Sequence, residues 1–182
     1  MSNSAGLFSS SLGRKYLMAL TGLFLCSFLL IHLLGNVALF TDPVQFNEYT
    51  RFMSSNPIIR VMEIILVLGF LTHIVDAVML SKANKAAQPV KYAMDRKQSS
   101  WYSRNMGLTG SIILAFLILH LQSFWYGYKF GDVAMTLDSS GAEIKDMFTM
   151  VVSAFSEFWY SAIYVAAMLL LGTHLNHGFQ SA

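Results

Sequence analysis

The sequence predicts an all-α protein, a transmembrane helix bundle with four spanning helices and a cytoplasmic N-terminus. Three observations predict it. Hydrophobic residues make up 55% of the 182 positions and charged residues 12%, with a mean hydropathy of +0.52, which is the balance of a chain that lives in lipid. Four apolar stretches, at about 16–40, 58–80, 106–126 and 158–179, are each near or above the roughly 20 residues that a helix needs to cross a bilayer. Each of them also carries one histidine well inside it: His32, His73, His120 and His174. Residues 1–182 are read as a single domain built on these spans.

The same figures exclude several function classes. A net charge of +2, spread thinly, offers no footprint for nucleic acid. The lone Cys26 lies within the first span, so the chain can form no internal disulfide and no thiolate metal cluster. The opening Met1 to Ser11 is polar and serine-rich. The span after it is longer than a signal-peptide core and lacks a small-residue cleavage site, so it is read as a retained helix.

Taken in order, the first span starts after Arg14 and Lys15 and ends near Phe40. A short surface helix is expected next, because Asp42 can cap it, Pro43 suits its first position and Gln45 completes a capping-box pattern. It should stop near Asn56, since Pro57 disfavours helical geometry in the residue before it. The second span runs from about Ile58 to Leu80 and contains Glu63, His73 and Asp76. A polar loop from Ser81 to Asn105 sets Lys82, Lys85, Lys91, Arg96, Lys97 and Arg104 against one acid, Asp95. The third span ends in Phe124, Trp125 and Tyr126, an aromatic run suited to a membrane interface. Asp132, Asp138, Glu143 and Asp146 follow, and Ala142 to Ser156 is expected to lie on the surface as one amphipathic helix. The fourth span begins near Phe158 and passes His174.

Eight of the twelve Lys and Arg precede the first span or lie between the second and third, so those ends are expected in the cytoplasm and the acidic loop outside. Depth then follows from the helical rise of about 1.5 Å per residue. His32 is 17 residues from Lys15 and His120 is 16 from Arg104, which places both roughly 25 Å from the cytoplasmic edge. His73 is nine residues from Lys82, and His174 is 17 from Glu157 on the other side, so both lie in the inner half. The imidazoles thus fall at two levels, His32 with His120 and His73 with His174.

Bundle cofactor sites are made by side chains on facing helices, and two imidazoles at one level can hold a haem iron between them. Two levels suggest two haems. Gly35 at i+3 from His32, Gly69 at i−4 from His73 and Gly178 at i+4 from His174 are expected to leave room for a flat macrocycle, with Ser123 at i+3 from His120 as a weaker counterpart. Other readings exist. Single histidines can hydrogen-bond across helices, zinc ordinarily draws on four ligands at one level, and a proton relay through His73 and Asp76 leaves the outer pair unexplained. His177, one turn from His174, could replace it by spacing alone. With both axial positions filled, such a haem would transfer electrons rather than bind oxygen.

The run TGLFLCSFLLIHLLGN around His32, the turn NPIIR at 56–60, the segment SRNMGLTGSIILAFLILHLQSFW around His120, and HLNHGFQS from His174 resemble the dihaem cytochrome b558 subunit of succinate dehydrogenase and fumarate reductase, the complex II of Bacteroidetes-type bacteria. The resemblance covers nearly the whole chain. It implies a multi-pass anchor in the bacterial cytoplasmic membrane that binds two haem b groups, with His32 and His120 on the outer iron and His73 and His174 on the inner. It also implies menaquinone as substrate, and docking of an FAD-bearing flavoprotein and an iron-sulfur subunit on the cytoplasmic face. By its spacing to Gly178, His174 rather than His177 matches the ligand position.

Two departures stand out. Such subunits usually have a fifth span, expected to be cut from this chain, and the glutamates that some relatives carry before the second-span proline and before the fourth-span ligand are replaced here by the neighbourhoods of Met53 to Asn56 and of Gly172. No catalytic base is therefore carried over. Glu48, Arg51 and Glu63 are the candidates for quinone chemistry at the outer edge, against the plainer reading that Glu48 is a solvated acid and Glu63 pairs with Arg60. Asp76 either orients His73 or a propionate, or reaches toward Lys82. The function expected is electron transfer between an iron-sulfur subunit and menaquinone in succinate:menaquinone oxidoreductase or fumarate reductase, with succinate chemistry in a partner. The alternatives are a dihaem anchor of a hydrogenase or formate dehydrogenase, or a transporter built on His and Asp.

Overall fold

The computed structural model describes residues 10–87 and 105–181. The basic residues Lys91, Arg96, Lys97 and Arg104 of the expected loop, with Asp95, lie outside them. Helix α1 (Ser11–Val37) opens on Ser10, whose side chain accepts from the Gly13 amide, and tightens into a 3-10 turn at Ala38–Phe40. It therefore begins before Arg14 and Lys15 rather than after them. The capping serine decides this, because it satisfies an amide that would otherwise be orphaned in the first turn.

Helix α2 (Pro43–Ser55) has the expected ends. Asp42 Oδ1 accepts from the Gln45 amide, and Asn56 takes an extended conformation ahead of Pro57. Asn56 serves two helices. Its amide closes α2 on Phe52 O, and its Oδ1 accepts from the Ile58 amide in the first turn of α3 (Pro57–Ala87). That helix runs well past Leu80, so Lys82 and Lys85 lie on helix and not in a loop.

Helix α4 (Met106–Phe130) is regular to His120, opens into a π-helical stretch at Leu121–Tyr126, and resumes as α-helix at Gly127–Phe130. The segment after it departs from expectation. In place of one amphipathic helix from Ala142, strands β1 (Met135–Leu137) and β2 (Glu143–Lys145) form an antiparallel hairpin that pairs Thr136 with Ile144. Helix α5 (Met147–Ser156) starts only after Asp146, whose side chain accepts from the Thr149 amide. The cause is the turn. Asp138 Oδ1 accepts from the Ser140 and Ala142 amides, and Gly141 sits at φ +85°, a backbone that reverses the chain and that glycine adopts freely. Helix α6 (Phe158–Ser181) completes the chain.

Four helices, Leu12–Phe40, Pro57–Ala86, Met106–Phe130 and Phe158–Gln180, are long and apolar enough to cross a membrane, the shortest at 23 residues. The chain is a multi-pass membrane protein with an all-α bundle. Helices α1 and α3 pack closely as one pair and α4 and α6 as another, while contact across the pairs is sparse. Among the described residues few large apolar side chains are buried: Leu25 and Phe124 in the spans, and Phe46, Ile144 and Val151 in the cap formed by α2, the hairpin and α5.

The cap is tied by one buried amide. Asn47, only 2% exposed, donates from Nδ2 to Asp146 Oδ1 and accepts at Oδ1 from the Phe148 amide, so α2 holds the start of α5. The hairpin turn is held from the same helix. Arg51 donates to Asp138 Oδ2 at 2.7 Å, and Glu48 Oε1 accepts from the Ser139 amide and hydroxyl. Hydrogen bonds from the Ser140 hydroxyl and the Ala142 amide, aided by Ser140 N and Arg51, hold the Asp138 carboxyl down at about 2, from its usual 3.8. A carboxyl with a lowered folded-state pKa contributes its stabilisation above its usual value and loses it as the pH falls through the lowered one. Protection of the Ser140 and Ala142 amides, taken as the ratio of intrinsic to observed exchange rate, is therefore expected to hold above pH 4 and to fall as the pH drops toward 2.

Candidate functional site

His32 sits one turn beyond Phe28 on α1, with their rings stacked at 5.4 Å, and His120 sits one turn beyond Phe116 on α4, stacked at 6.0 Å. The two imidazoles meet across the gap between helix pairs. Their ring centroids are 5.7 Å apart and their planes are perpendicular. Two imidazoles bound on opposite sides of one metal ion have centroids about 6 Å apart, since metal–nitrogen bonds are about 2 Å. The observed spacing is close to that value. His120 is braced from behind, with Nδ1 lying 3.1 Å from the Tyr164 hydroxyl of α6, and that hydroxyl lies 3.0 Å from the hydroxyl of Tyr160.

His73 and His174 occupy the other level, on α3 and α6, near enough to interact electrostatically. The Thr21 hydroxyl lies 2.8 Å from Leu17 O, 3.1 Å from Met18 O and 3.1 Å from His73 Nδ1. With its one proton on a backbone carbonyl it accepts from His73 Nδ1, and the lone pair of His73 is then on Nε2. A ring whose Nδ1 proton is anchored on an oxygen, with Nε2 bare, has the usual form of a histidine poised to bind a metal. His174 Nδ1 is buried and has no hydrogen-bond partner among the described residues. An orphaned buried nitrogen is uncommon and points to a group that the side chains alone do not satisfy.

The small residues beside these rings are not those expected from helix periodicity. A Cβ on Gly35 would collide with Tyr49 of α2, and one on Gly69 with Phe24 of α1, so both glycines admit a neighbouring side chain. A Cβ on Gly178 would meet nothing within 4 Å. The glycines that face imidazoles are on the opposing helices. A Cβ on Gly22 of α1 would lie 3.6 Å from His73 Cε1, and one on Gly110 of α4 would lie 3.6 Å from His174 Cε1. Counting i±3 and i±4 on a histidine's own helix could not find them, since the relation is across helices.

The three candidates for quinone chemistry do not share a site. Glu48 and Arg51 line an open cleft of about 420 Å³ with Phe52, Ser55 and the Asp138–Ser140 turn, and both are engaged by that turn. Glu63 is elsewhere, as the centre of a cluster. Its Oε2 accepts from Arg60 at 2.8 Å, and its Oε1 from Lys129 at 2.7 Å and from Trp125 Nε1. Lys129 also lies over the Trp125 ring, 4.3 Å from its centroid. Arg60 reaches back to Ser54 O as well, so the cluster joins α3 to the end of α4 and to the C-terminal turn of α2. The pairing of Glu63 with Arg60 was legible at i+3; the two partners on α4 were not.

Asp76 is buried at 3% exposure, with Oδ2 lacking a partner among the described residues, and Arg14 and His73 lie close enough to act on its carboxyl. Among the described residues no ion pair joins it to Lys82. Among the described residues no three His, Cys, Asp or Glu side chains gather as a metal cluster. The side chains that would serve a haem are the His32–His120 pair, in ring contact, and His73 with His174, which lie near one another with glycine against each ring and with His174 Nδ1 unsatisfied among the described residues. Comparisons with family models, with curated proteins and with solved structures give no match to this chain.

Proposed function

We propose that the chain is the membrane anchor and electron-transfer subunit of a succinate:menaquinone oxidoreductase or fumarate reductase, with two bis-histidine haems b. The observation that carries this reading is the His32–His120 pair, two imidazoles from diagonally placed helices facing one another at 5.7 Å within the spans. His73 and His174 would hold the second haem. Bound in these positions, each haem would supply a reversible one-electron step. Thr21 would orient His73, Phe28 and Phe116 would wall the outer rings, and Gly22 and Gly110 would admit the macrocycle to the inner ones.

The motif resemblance supports the identity of the complex. It would lie in the bacterial cytoplasmic membrane, with flavoprotein and iron-sulfur subunits docked on the inner face and menaquinone as the lipid-phase partner. No base for quinol is assigned to Glu63, whose two oxygens already hold three donors. The test is reduction by substrate in native membranes. Succinate is expected to reduce the haem bands of this chain, which should co-purify with a flavin-bearing and an iron-sulfur subunit. Haem bands that respond only to hydrogen or formate would assign the chain to a different respiratory complex, and a chain without haem bands would favour a transporter.

A further inference from the structure

The rings of the two pairs differ in what stands behind them. His73 Nδ1 rests on a hydroxyl that also reaches the backbone, His174 Nδ1 has no partner among the described residues, and His120 Nδ1 rests on a phenol that continues to a second phenol. We infer that Tyr164 is the positioning residue of His120 and sets the reduction potential of the outer haem through a hydrogen-bond chain that continues to Tyr160. This rests on the reading of His120 as a haem ligand.

The direction of the first link follows from proton counting. A neutral imidazole that binds metal through Nε2 keeps its only ring proton on Nδ1, so His120 donates and the Tyr164 oxygen accepts. The Tyr164 hydroxyl is joined in turn to the Tyr160 hydroxyl, 3.0 Å away, a link in which either phenol can donate. An acceptor on the outer nitrogen makes the ring a stronger donor to iron, which favours the oxidised state. Tyr164 is also fixed in place by packing, edge-on to Phe116 at 4.8 Å and to Phe155 at 4.7 Å, so its oxygen is held where the imidazole needs it.

Tyr164→Phe removes the oxygen and keeps that packing. In the full chain purified with its haems, the expected result is an unchanged haem count and a rise in one midpoint potential only. The rise should be about tenfold in the one-electron reduction equilibrium, or about 59 mV. Tyr160→Phe keeps the acceptor on His120 and should move the same component by less. Potentials unmoved in Tyr164→Phe, or two components shifting together, overturn the role of Tyr164. If Tyr164→Phe does not hold its haems, the Tyr160→Phe titration decides, and no shift there overturns the chain. Absence of haem from the unmodified protein overturns the functional reading itself, and so the two failures are told apart.

Discussion

Replacing His120 by Ala is expected to lower the haem content from two per chain to one, and His32→Ala should give the same loss with the same residual spectrum. The reason is the geometry of the pair. A haem held by these two imidazoles, 5.7 Å apart, would lose a ligand when either is removed, and the phenyl rings of Phe28 and Phe116 stacked on them could not replace it. His73→Ala and His174→Ala should remove the other haem. Combinations sharpen the expectation. A double variant within one pair should resemble the single variant, whereas one substitution in each pair should leave no haem, since ligands of one iron act as a unit and ligands of separate irons do not. Loss of both haems from His120→Ala in a chain that still unfolds cooperatively would count against two independent levels. Retention of both in His174→Ala would move the inner ligand to His177.

Glu63→Ala is expected to be the most destabilising single change outside the histidines. The carboxylate draws together Arg60, Lys129 and the Trp125 indole, and thereby joins α3 to the end of α4 where direct contact between those helices is sparse. All three partners are donors and two are cations. Removing the acceptor would leave two cations without their shared partner, and because Arg60 is more than a third exposed and screened by solvent the cost is about 1–2 kcal/mol. Thermal unfolding in detergent checks this. Glu63→Gln, which keeps an oxygen for Trp125 but not the charge, should lose less. Full stability in Glu63→Ala, together with lost quinol turnover, would return Glu63 to a chemical role.

The fold was legible where local chemistry decides it. Four apolar lengths gave four spans, and Asp42, Pro43 and Pro57 gave the ends of α2, because capping and proline geometry act within a few residues. The hairpin was missed although Asp138 and Gly141 carried its turn signal, because strands of three residues are too short to show alternation, and the apolar run from Met147 dominated the window. The depth count set His32 level with His120, and the structure places them in contact. What surrounds them was not legible. Gly22, Gly110, Thr21 and Tyr164 are neighbours of histidines on other helices, and helix rotation about its axis is fixed by packing that a single sequence does not record. Asn47 was missed for the same reason, since its partners Asp146 and Phe148 are about a hundred residues away in the chain.

The central claim is that each of two haem irons is gripped by two imidazoles. Haem quantification with electron paramagnetic resonance of the oxidised, unmodified chain tests it most directly. Two haems b per chain, both low-spin and without a high-spin fraction, is the result this account requires. A chain without haem, or one whose iron is high-spin with an open axial position, would contradict it.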